Sequence, residues 1–409
     1  MAAAVAIGAA ASFLLFGYEA VRSASTSLVV THYGVESLPW VMALSPVGTA
    51  AMLYGYALLL SWLGAKHTLA TSSLLSAAML ALCWAALPYA AGPASALLYI
   101  LREGYIVLLI EQYWSFVNST LKPAEAKRVN GPICGLASIG AIVGGLTVGH
   151  LAPVLGTEPL ILLTALSLIP ATALGVVAFN LGGTPRGETT SKSSHSVLAL
   201  DLFGKHRVLF RLAILILLTQ TVSTVLDLCF NGLLAEAVPL QDERTAYLGN
   251  LYALLNSCAF VMQFFATPLL LRYVALRHIH MGIPLLHVVA AGLVLLEPHL
   301  MVAAGAYILF KVIDYSLFRA GKELLYMPLP YDARYRAKEV IDAFGYRASK
   351  GATSGLVAAV GWLAGALPIA VYPVVAMLAS IGWHGVARGV SEETEEKFDQ
   401  ETDQESREN

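Results

Sequence analysis

Twelve runs of mainly apolar residues follow one another along the 409-residue chain, centred on 3–22, 38–62, 68–90, 94–117, 131–154, 158–181, 209–233, 247–271, 278–296, 299–326, 348–366 and 367–387. Each approaches the ~20 residues needed to cross ~30 Å of hydrocarbon. A backbone in hydrocarbon must satisfy its own hydrogen bonds, which leaves helices or a closed barrel, and runs of this length select helices. Only 13% of the residues are charged, against about 25% in ordinary soluble domains. That deficit excludes a soluble globular protein, a disordered chain and a basic nucleic-acid-binding protein. The first run lacks a basic leader and a convincing cleavage site, so it reads as a span and not as a signal peptide.

The net charge of −2 is the sum of two unlike parts. Nine of the 27 acidic residues lie between Glu392 and Glu408, with only Lys397 and Arg407 beside them. The body that remains holds eighteen acidic against twenty-three basic residues. Its basic surplus is not evenly spread. The connections after runs 2, 4, 6, 8 and 10, taken with the first three residues of the runs that follow, hold sixteen Lys or Arg, and those after the odd-numbered runs hold only Arg244. The positive-inside rule therefore predicts cytoplasmic termini, and one missed span would scramble the alternation.

The longest polar connection, from Gly182 to His195, has the Gly/Ser/Thr/Pro composition of a flexible linker. The predicted organisation is a six-helix bundle over 1–181, a cytoplasmic linker over 182–208, a second six-helix bundle over 209–388, and a disordered acidic tail over 389–409. Cys83, Cys134, Cys229 and Cys258 have no CxxC or Cys/His spacing and read as small packing residues. Pairs of glycines four apart (Gly131/Gly135, Gly140/Gly144, Gly145/Gly149, Gly351/Gly355, Gly361/Gly365) predict close helix approach in spans 5 and 11. No Walker A, HExxH, GxSxG or kinase motif is present, which argues against an enzyme. His278 and His280 read as a chance interfacial pair, not a metal site. No cofactor is implied.

Inside the spans, eleven ionisable residues sit on every third helix: Glu19 and Arg22 in span 1; Arg102, Glu103 and Glu111 in span 4; Asp227 in span 7; and Lys311, Asp314, Arg319, Lys322 and Glu323 in span 10. His287 in span 9 is the nearest exception. Unpaired at mid-bilayer, eleven charges would cost roughly 30 kcal/mol. They must be paired or hydrated. Glu19 with Arg22, Lys311 with Asp314, and Arg319 with Glu323 have the three- or four-residue spacing that shares a helix face. The remainder call for a polar cavity. Spans 1, 4, 7 and 10 line the central cavity of the major facilitator architecture, two pseudo-symmetric six-helix halves built of three-helix repeats. The predicted fold is thus all-α, twelve transmembrane helices, of major facilitator type; structural ion pairs clamping a bundle are the competing reading of the same charges.

Lys311, Tyr315, Phe318 and Lys322 follow i, i+4, i+7, i+11, one continuous helical stripe. Two ammonium groups there suit an anion with separated negative charges, and Arg22 and Arg102 suit bidentate phosphate or carboxylate contacts. Tyr99, Tyr105, Tyr113 and Trp114 offer stacking surface.

Three stretches resemble the ATP/ADP translocase family of nucleotide transporters of intracellular bacteria and plastids. They are Arg22-Ser-Ala-Ser-Thr-Ser-Leu-Val-Val30; Lys122-Pro-Ala-Glu-Ala-Lys-Arg128 with its glycine-rich helix; and Tyr315 to Leu329 continuing through Lys338-Glu-Val-Ile-Asp342 to Lys350. The resemblance covers about a quarter of the chain. It implies exchange of ATP against ADP plus phosphate, with Glu103, Asp227 and Lys338 at the family's functional positions. Two departures stand out: Ser25 and Thr26 replace a Lys-Asp pair, and Arg319 replaces a polar or acidic residue.

The expectation is an alternating-access carrier of an anionic metabolite, a nucleotide first. Arg22, Arg102, Glu103, Asp227, Lys311, Tyr315 and Lys322 would meet the substrate. Glu19, Glu111, Asp314, Arg319, Glu323, Lys338 and Lys350 would gate or couple. The partners implied are a small anion and the bilayer, without nucleic acid, and the chain is expected to act as a monomer. The membrane expected is the bacterial inner membrane, or else a plastid envelope. Two alternatives stay open: a proton-coupled carrier of a smaller organic or phosphorylated anion, and a non-transporting sensor or scaffold on a carrier fold.

Overall fold

The computed structural model describes residues 1–120, 123–183, 207–326, 341 and 345–408, with 123–128, 207 and 392–408 described by their backbone only. Apolar segments become helices throughout. We number them α1 (Ala2–Tyr33), α2, α3 and α4 (38–63, 65–89 and 91–120), α5 (Pro123–Leu155), α6 (Pro159–Gly182), α7 (Arg207–Ala237), α8 (Gln241–Tyr273), α9 (Leu276–Leu296), α10 (Leu300–Leu325), α11 (Tyr346–Ala364) and α12 (Val371–Glu408). Among the described residues there is no strand. Helices α2–α4 run on almost without a loop. Gly64, at φ 72°, makes the first break, a left-handed turn closed to residues with a Cβ, and Ala90, at φ −149° and ψ 58°, makes the second.

The chain divides into two compact units. The first is Met1–Thr190 with Leu234–Phe260, and the second is Ser191–Leu233 with Val261–Asn409. The six-plus-six division expected at the linker is thus modified, because most of α8 joins the first unit. The reason lies in α5. Its Gly140 and Gly144 lie against the Ser12 and Phe16 carbonyls of α1, while Gly145 and Gly149 lie against Gly249, Asn250 and Ala253 of α8. Consecutive glycine pairs therefore seat two different helices at backbone distance. In α11 the expectation fails for one pair, since Gly361 faces open space and Gly365 only ends the helix.

Within the first unit α1 is enclosed on all sides from Glu19 to Val30. Thr164 of α6 donates to the Gly17 carbonyl at 2.8 Å, where the missing side chain lets the helices close up. At the far end of α1, Arg244 of α8 donates to the Ser27 carbonyl and the Thr31 hydroxyl, and Asp242 accepts from the Thr157 backbone and hydroxyl at 2.8 and 2.6 Å.

In the second unit α9 packs on α12 and α10. Phe230 of α7 stacks on Tyr307 of α10 at 5.3 Å. Arg211 of α7 donates to the Gly389 carbonyl of α12 at 2.7 Å. Large apolar side chains such as Leu286, Val289 and Leu293 of α9 are exposed opposite buried His287, Ala291 and Val294. That arrangement suits lipid as solvent, and the protein is a multi-pass integral membrane protein. The acidic tail departs from expectation: helix α12 continues to Glu408. Beyond Gly389 the sequence has no proline or glycine, and Glu, Gln, Lys and Arg propagate a helix well.

Candidate functional site

In the first unit Glu19, Arg22, Arg102 and Glu103 all meet partners of that unit. Glu19 and Arg22, 3.4 Å apart, form the pair their spacing predicts, and the other Glu19 oxygen accepts from Asn256 of α8 at 2.8 Å. The Arg22 guanidinium lies 3.6 Å from the centre of the Tyr252 ring, also on α8. Arg102 reaches from α4 to α1. One of its nitrogens donates to the Arg22 carbonyl at 2.6 Å, the Ser25 hydroxyl at 2.8 Å and the Thr26 hydroxyl at 2.7 Å. Its guanidinium lies 3.7 Å from the Tyr99 ring centre and 3.4 Å from Glu103.

Ser25 and Thr26 stand where the resembled family carries Lys-Asp, and here they are acceptors for Arg102. Arg102, expected to face substrate, is buried here and ties α4 to α1. Tyr99 and Tyr105 are likewise withdrawn from stacking on a substrate. Tyr99 lies under Arg102, and Tyr105 meets Tyr18 edge-on at 6.4 Å. Glu111 is exposed on α4 near Tyr56 of α2, away from this cluster.

The second unit is arranged otherwise. The Lys311 ammonium donates to Ser223 of α7 at 2.9 Å and has the rings of Tyr307, Phe310 and Tyr315 between 5.7 and 5.9 Å away. The expected Lys311–Asp314 pair does not form among the described residues: the winding between the two is α-helical, and the Lys311 ammonium turns to Ser223 of α7 instead. Beyond Ile313 α10 changes its winding. Residues Asp314–Phe318 make a π-turn, which takes one residue more per turn than the α-helix and shifts everything beyond it around the axis. Ser316 donates its hydroxyl to the Val312 carbonyl inside this turn, a side chain supplying a bond to a main-chain oxygen.

The single stripe expected on α10 consequently splits in two. Lys311, Tyr315 and Arg319 share one face, with both cations within 6 Å of the Tyr315 ring, and Arg319 is exposed. Asp314, Phe318 and Lys322 form a buried face. Phe318 packs edge-on against Trp383 of α12 at 5.2 Å and His280 of α9 at 6.3 Å. Lys322 lies 4.9 Å from the Tyr346 ring centre of α11. Arg319, expected to gate, thus takes the place on the open face that was expected of Lys322.

Asp227 is half-buried on α7 and accepts from Asn231 one turn on, at 2.9 Å. Glu323 and Lys350 are partly exposed, and Lys338 lies outside the described residues. His280 is a buried residue of α9, not part of an interfacial connector, and His287 stacks on Trp383 at 5.6 Å. Among the described residues no three His, Cys, Asp or Glu converge as metal ligands. Sequence reasoning missed Tyr252, Asn256 and Ser223, which are uncharged. Their only advance signal is that polar Tyr252 and Asn256 stand four apart in an apolar helix.

The fold is that of the major facilitator type. The chain is similar to a nucleoside transporter, NupG, at TM-score 0.68, 12% identity and coverage of 97% of this chain and 99% of that one. An auto-inhibited POT family peptide transporter aligns at TM-score 0.68 and 13% identity over 94% and 96% of the two chains. The xylose transporter XylE from E. coli, in an inward open conformation, aligns at TM-score 0.64 and 12% identity over 93% and 94%. No family profile matches the sequence, and no curated relative matches it. Identities this low speak for the fold alone.

Proposed function

We propose that this protein is a secondary carrier that moves an anionic metabolite across a membrane by alternating access, with a nucleotide exchanged in the ATP/ADP manner as the first candidate. One observation carries the reading. Lys311 sits midway along an apolar helix with a hydroxyl as its hydrogen-bond partner, among aromatic rings, and with no carboxylate within ion-pair distance among the described residues. A cation so placed is costly unless an anion visits it. Arg319, two turns along the same face, lies ~12 Å further on by helix rise. Tyr315 between them offers a ring. Separated cations flanking an aromatic surface suit a ligand that is both anionic and flat.

The resemblance in the Tyr315–Leu329 segment supports the nucleotide within that class. Arg22, held between Glu19 and Tyr252, and Glu103 with Asp227 are proposed to exchange partners as occupancy changes. Lys338 and Lys350 are proposed to attract substrate at the cytoplasmic mouth, with both termini cytoplasmic in a bacterial inner membrane. The test is uptake of radiolabelled ATP into liposomes preloaded with ADP. Lys311→Ala should lower uptake on the order of tenfold or more, because truncating one partner of a desolvated charge pair weakens binding strongly. Unchanged uptake in Lys311→Ala and Arg22→Ala would remove the clamp. A second reading rests on Asp227, a carboxylate within a span that accepts from Asn231 and pairs with no cation among the described residues, because intramembrane acids commonly mark proton pathways. If uptake of small organic anions, and not of ATP, follows an imposed proton gradient, that reading replaces the first.

A further inference from the structure

Five polar residues of α7, Gln220, Ser223, Thr224, Asp227 and Asn231, follow i, i+3, i+4, i+7, i+11 and so share one face of the helix. All belong to the second unit, and the residues interleaved with them, Val222, Val225, Leu226, Leu228, Cys229 and Phe230, are apolar. Two contacts set α10 beside this stripe. Lys311 donates to Ser223 at 2.9 Å, and Tyr307 stacks on Phe230 at 5.3 Å. The later α7 residue meets the earlier α10 residue, so the two helices run antiparallel. Asp227 stands one turn beyond Ser223, ~6 Å by helix rise, and therefore on the side of Lys311 away from Tyr315 and Arg319.

A polar stripe on a membrane helix ordinarily serves packing, with its side chains bonded to a neighbouring helix or to carbonyls of their own. Thr219 and Thr221 behave so, donating to the Leu215 and Leu217 carbonyls. The stripe does not. Thr224 is 1% exposed, and its hydroxyl has no hydrogen-bond partner among the described residues. Asp227 is half-buried, with no cation in ion-pair distance among the described residues. The Asn231 amide donates to one Asp227 carboxylate oxygen at 2.9 Å and to the Asp227 carbonyl at 2.8 Å. That holds the carboxylate in place and leaves its second oxygen without a hydrogen bond among the described residues. A dicarboxylate meets repulsion at Asp227, and a simple inorganic anion leaves Thr224 and Asp227 unused. A ligand with an anionic ester at one end and neighbouring hydroxyls at the other uses the whole arrangement. The ester takes Lys311, two hydroxyls donate to the carboxylate, and Gln220 and Thr224 add neutral donors and acceptors. Dinucleotide-binding folds read ribose hydroxyls with a carboxylate in the same way.

Resting on the carrier reading above, we propose that the α7 stripe, centred on Asp227, is a hydroxyl-reading subsite, and that the anion held at Lys311 is a phosphate ester carrying a vicinal diol. The diol is then the partner that Asp227 takes when the carrier is loaded.

Isothermal titration of the full-length protein in lipid nanodiscs tests this with two pairs of probes matched in charge. They are ATP against 2′,3′-dideoxy-ATP, and ribose 5-phosphate against n-pentyl phosphate. In the wild type the hydroxylated member of at least one pair should bind on the order of tenfold to a hundredfold tighter, as hydrogen bonds to a charged group imply. Asp227→Asn should bring that ratio close to one while the member without hydroxyls binds as before. Lys311→Gln should weaken both members alike and keep the ratio. Equal binding within both pairs in the wild type, or an unchanged ratio in Asp227→Asn, overturns the proposal. Weakening of both members in Lys311→Gln then leaves the anion carrier standing without the subsite. If ribose 5-phosphate discriminates and ATP does not bind, the subsite stands and the nucleotide falls. Binding of glycylglycine that Asp227→Asn abolishes, without discrimination in either pair, gives the carboxylate to an ammonium and overturns the proposal. If no probe binds, the subsite and the anion reading of Lys311 fall together.

Discussion

Replacing Arg102 separates a tie between helices from a substrate contact. In Arg102→Ala the first unit loses three charge-assisted hydrogen bonds to α1, at 2.6, 2.8 and 2.7 Å, the stacking on Tyr99 and the partner of Glu103. The acceptors are not left bare, because Ser25 and Thr26 also donate to the Val21 and Arg22 carbonyls of their own helix. The main loss is therefore the tie itself. Hydrogen bonds to a charged group contribute about 1.5–3 kcal/mol each, so losing this set costs about 3–5 kcal/mol. For a unit of some two hundred residues that corresponds to a fall in Tm of about 10 °C. Thermal unfolding of detergent-solubilised protein, followed by tryptophan fluorescence and by loss of the monodisperse peak, measures it. Arg102→Lys should recover part of the loss, keeping the charge but not the planar stacking on Tyr99. A residue whose main task is to meet substrate behaves in the opposite way: its removal leaves Tm unchanged or raises it, and only uptake suffers. A shift of less than about 2 °C in Arg102→Ala would refute the assignment.

Other expected outcomes follow from the same geometry. Gly144→Val drives a branched side chain into the Phe16 carbonyl of α1 and should destabilise by about 1–3 kcal/mol or more, visible as loss of monodisperse protein, whereas Gly361→Ala faces open space and should be neutral. Arg244→Ala removes donors to the Ser27 carbonyl and the Thr31 hydroxyl and should cost about 1–3 kcal/mol, seen as a lower Tm and faster proteolysis near Gln241. Ser223→Ala removes the one hydrogen-bond acceptor that Lys311 has among the described residues, and should sharpen the dependence of Lys311 on added anion, measured as a larger ligand-induced rise in Tm than in the wild type.

Much of the architecture is legible in the residues. Apolar runs of membrane length, broken by Gly64 and by the polar connections, place the helices, although α1 continues to Tyr33, α5 begins at Pro123 and α12 runs on to Glu408, well beyond their apolar runs. The glycine pairs of α5 announce close approach, and Gly140, Gly144, Gly145 and Gly149 deliver it. The spacing of Glu19 and Arg22 predicts their pair, since both lie on a regular α-helix. The same rule fails for Lys311 and Asp314, which share an α-helical stretch yet do not pair because Ser223 of α7 takes the Lys311 ammonium, and nothing in Asp314-Tyr315-Ser316-Leu317-Phe318 signals the π-turn that follows. Tyr252 and Asn256 were invisible to a search for charge, because an uncharged side chain in an apolar helix becomes functional only through what stands opposite it.

Composition and periodicity determine that this chain lives in a bilayer, how often it crosses, and that its buried charges lie on every third helix. These are properties of segments, set by transfer free energy and by the need of each segment to satisfy its own backbone. Which charge is satisfied and which is left open is decided only by the tertiary structure, because a side chain's partner comes from another helix. Arg102 and Lys311 look alike in the sequence, each a cation within an apolar run. Two hydroxyls and a carbonyl of α1 close the first, while α7 offers the second a single serine hydroxyl among the described residues.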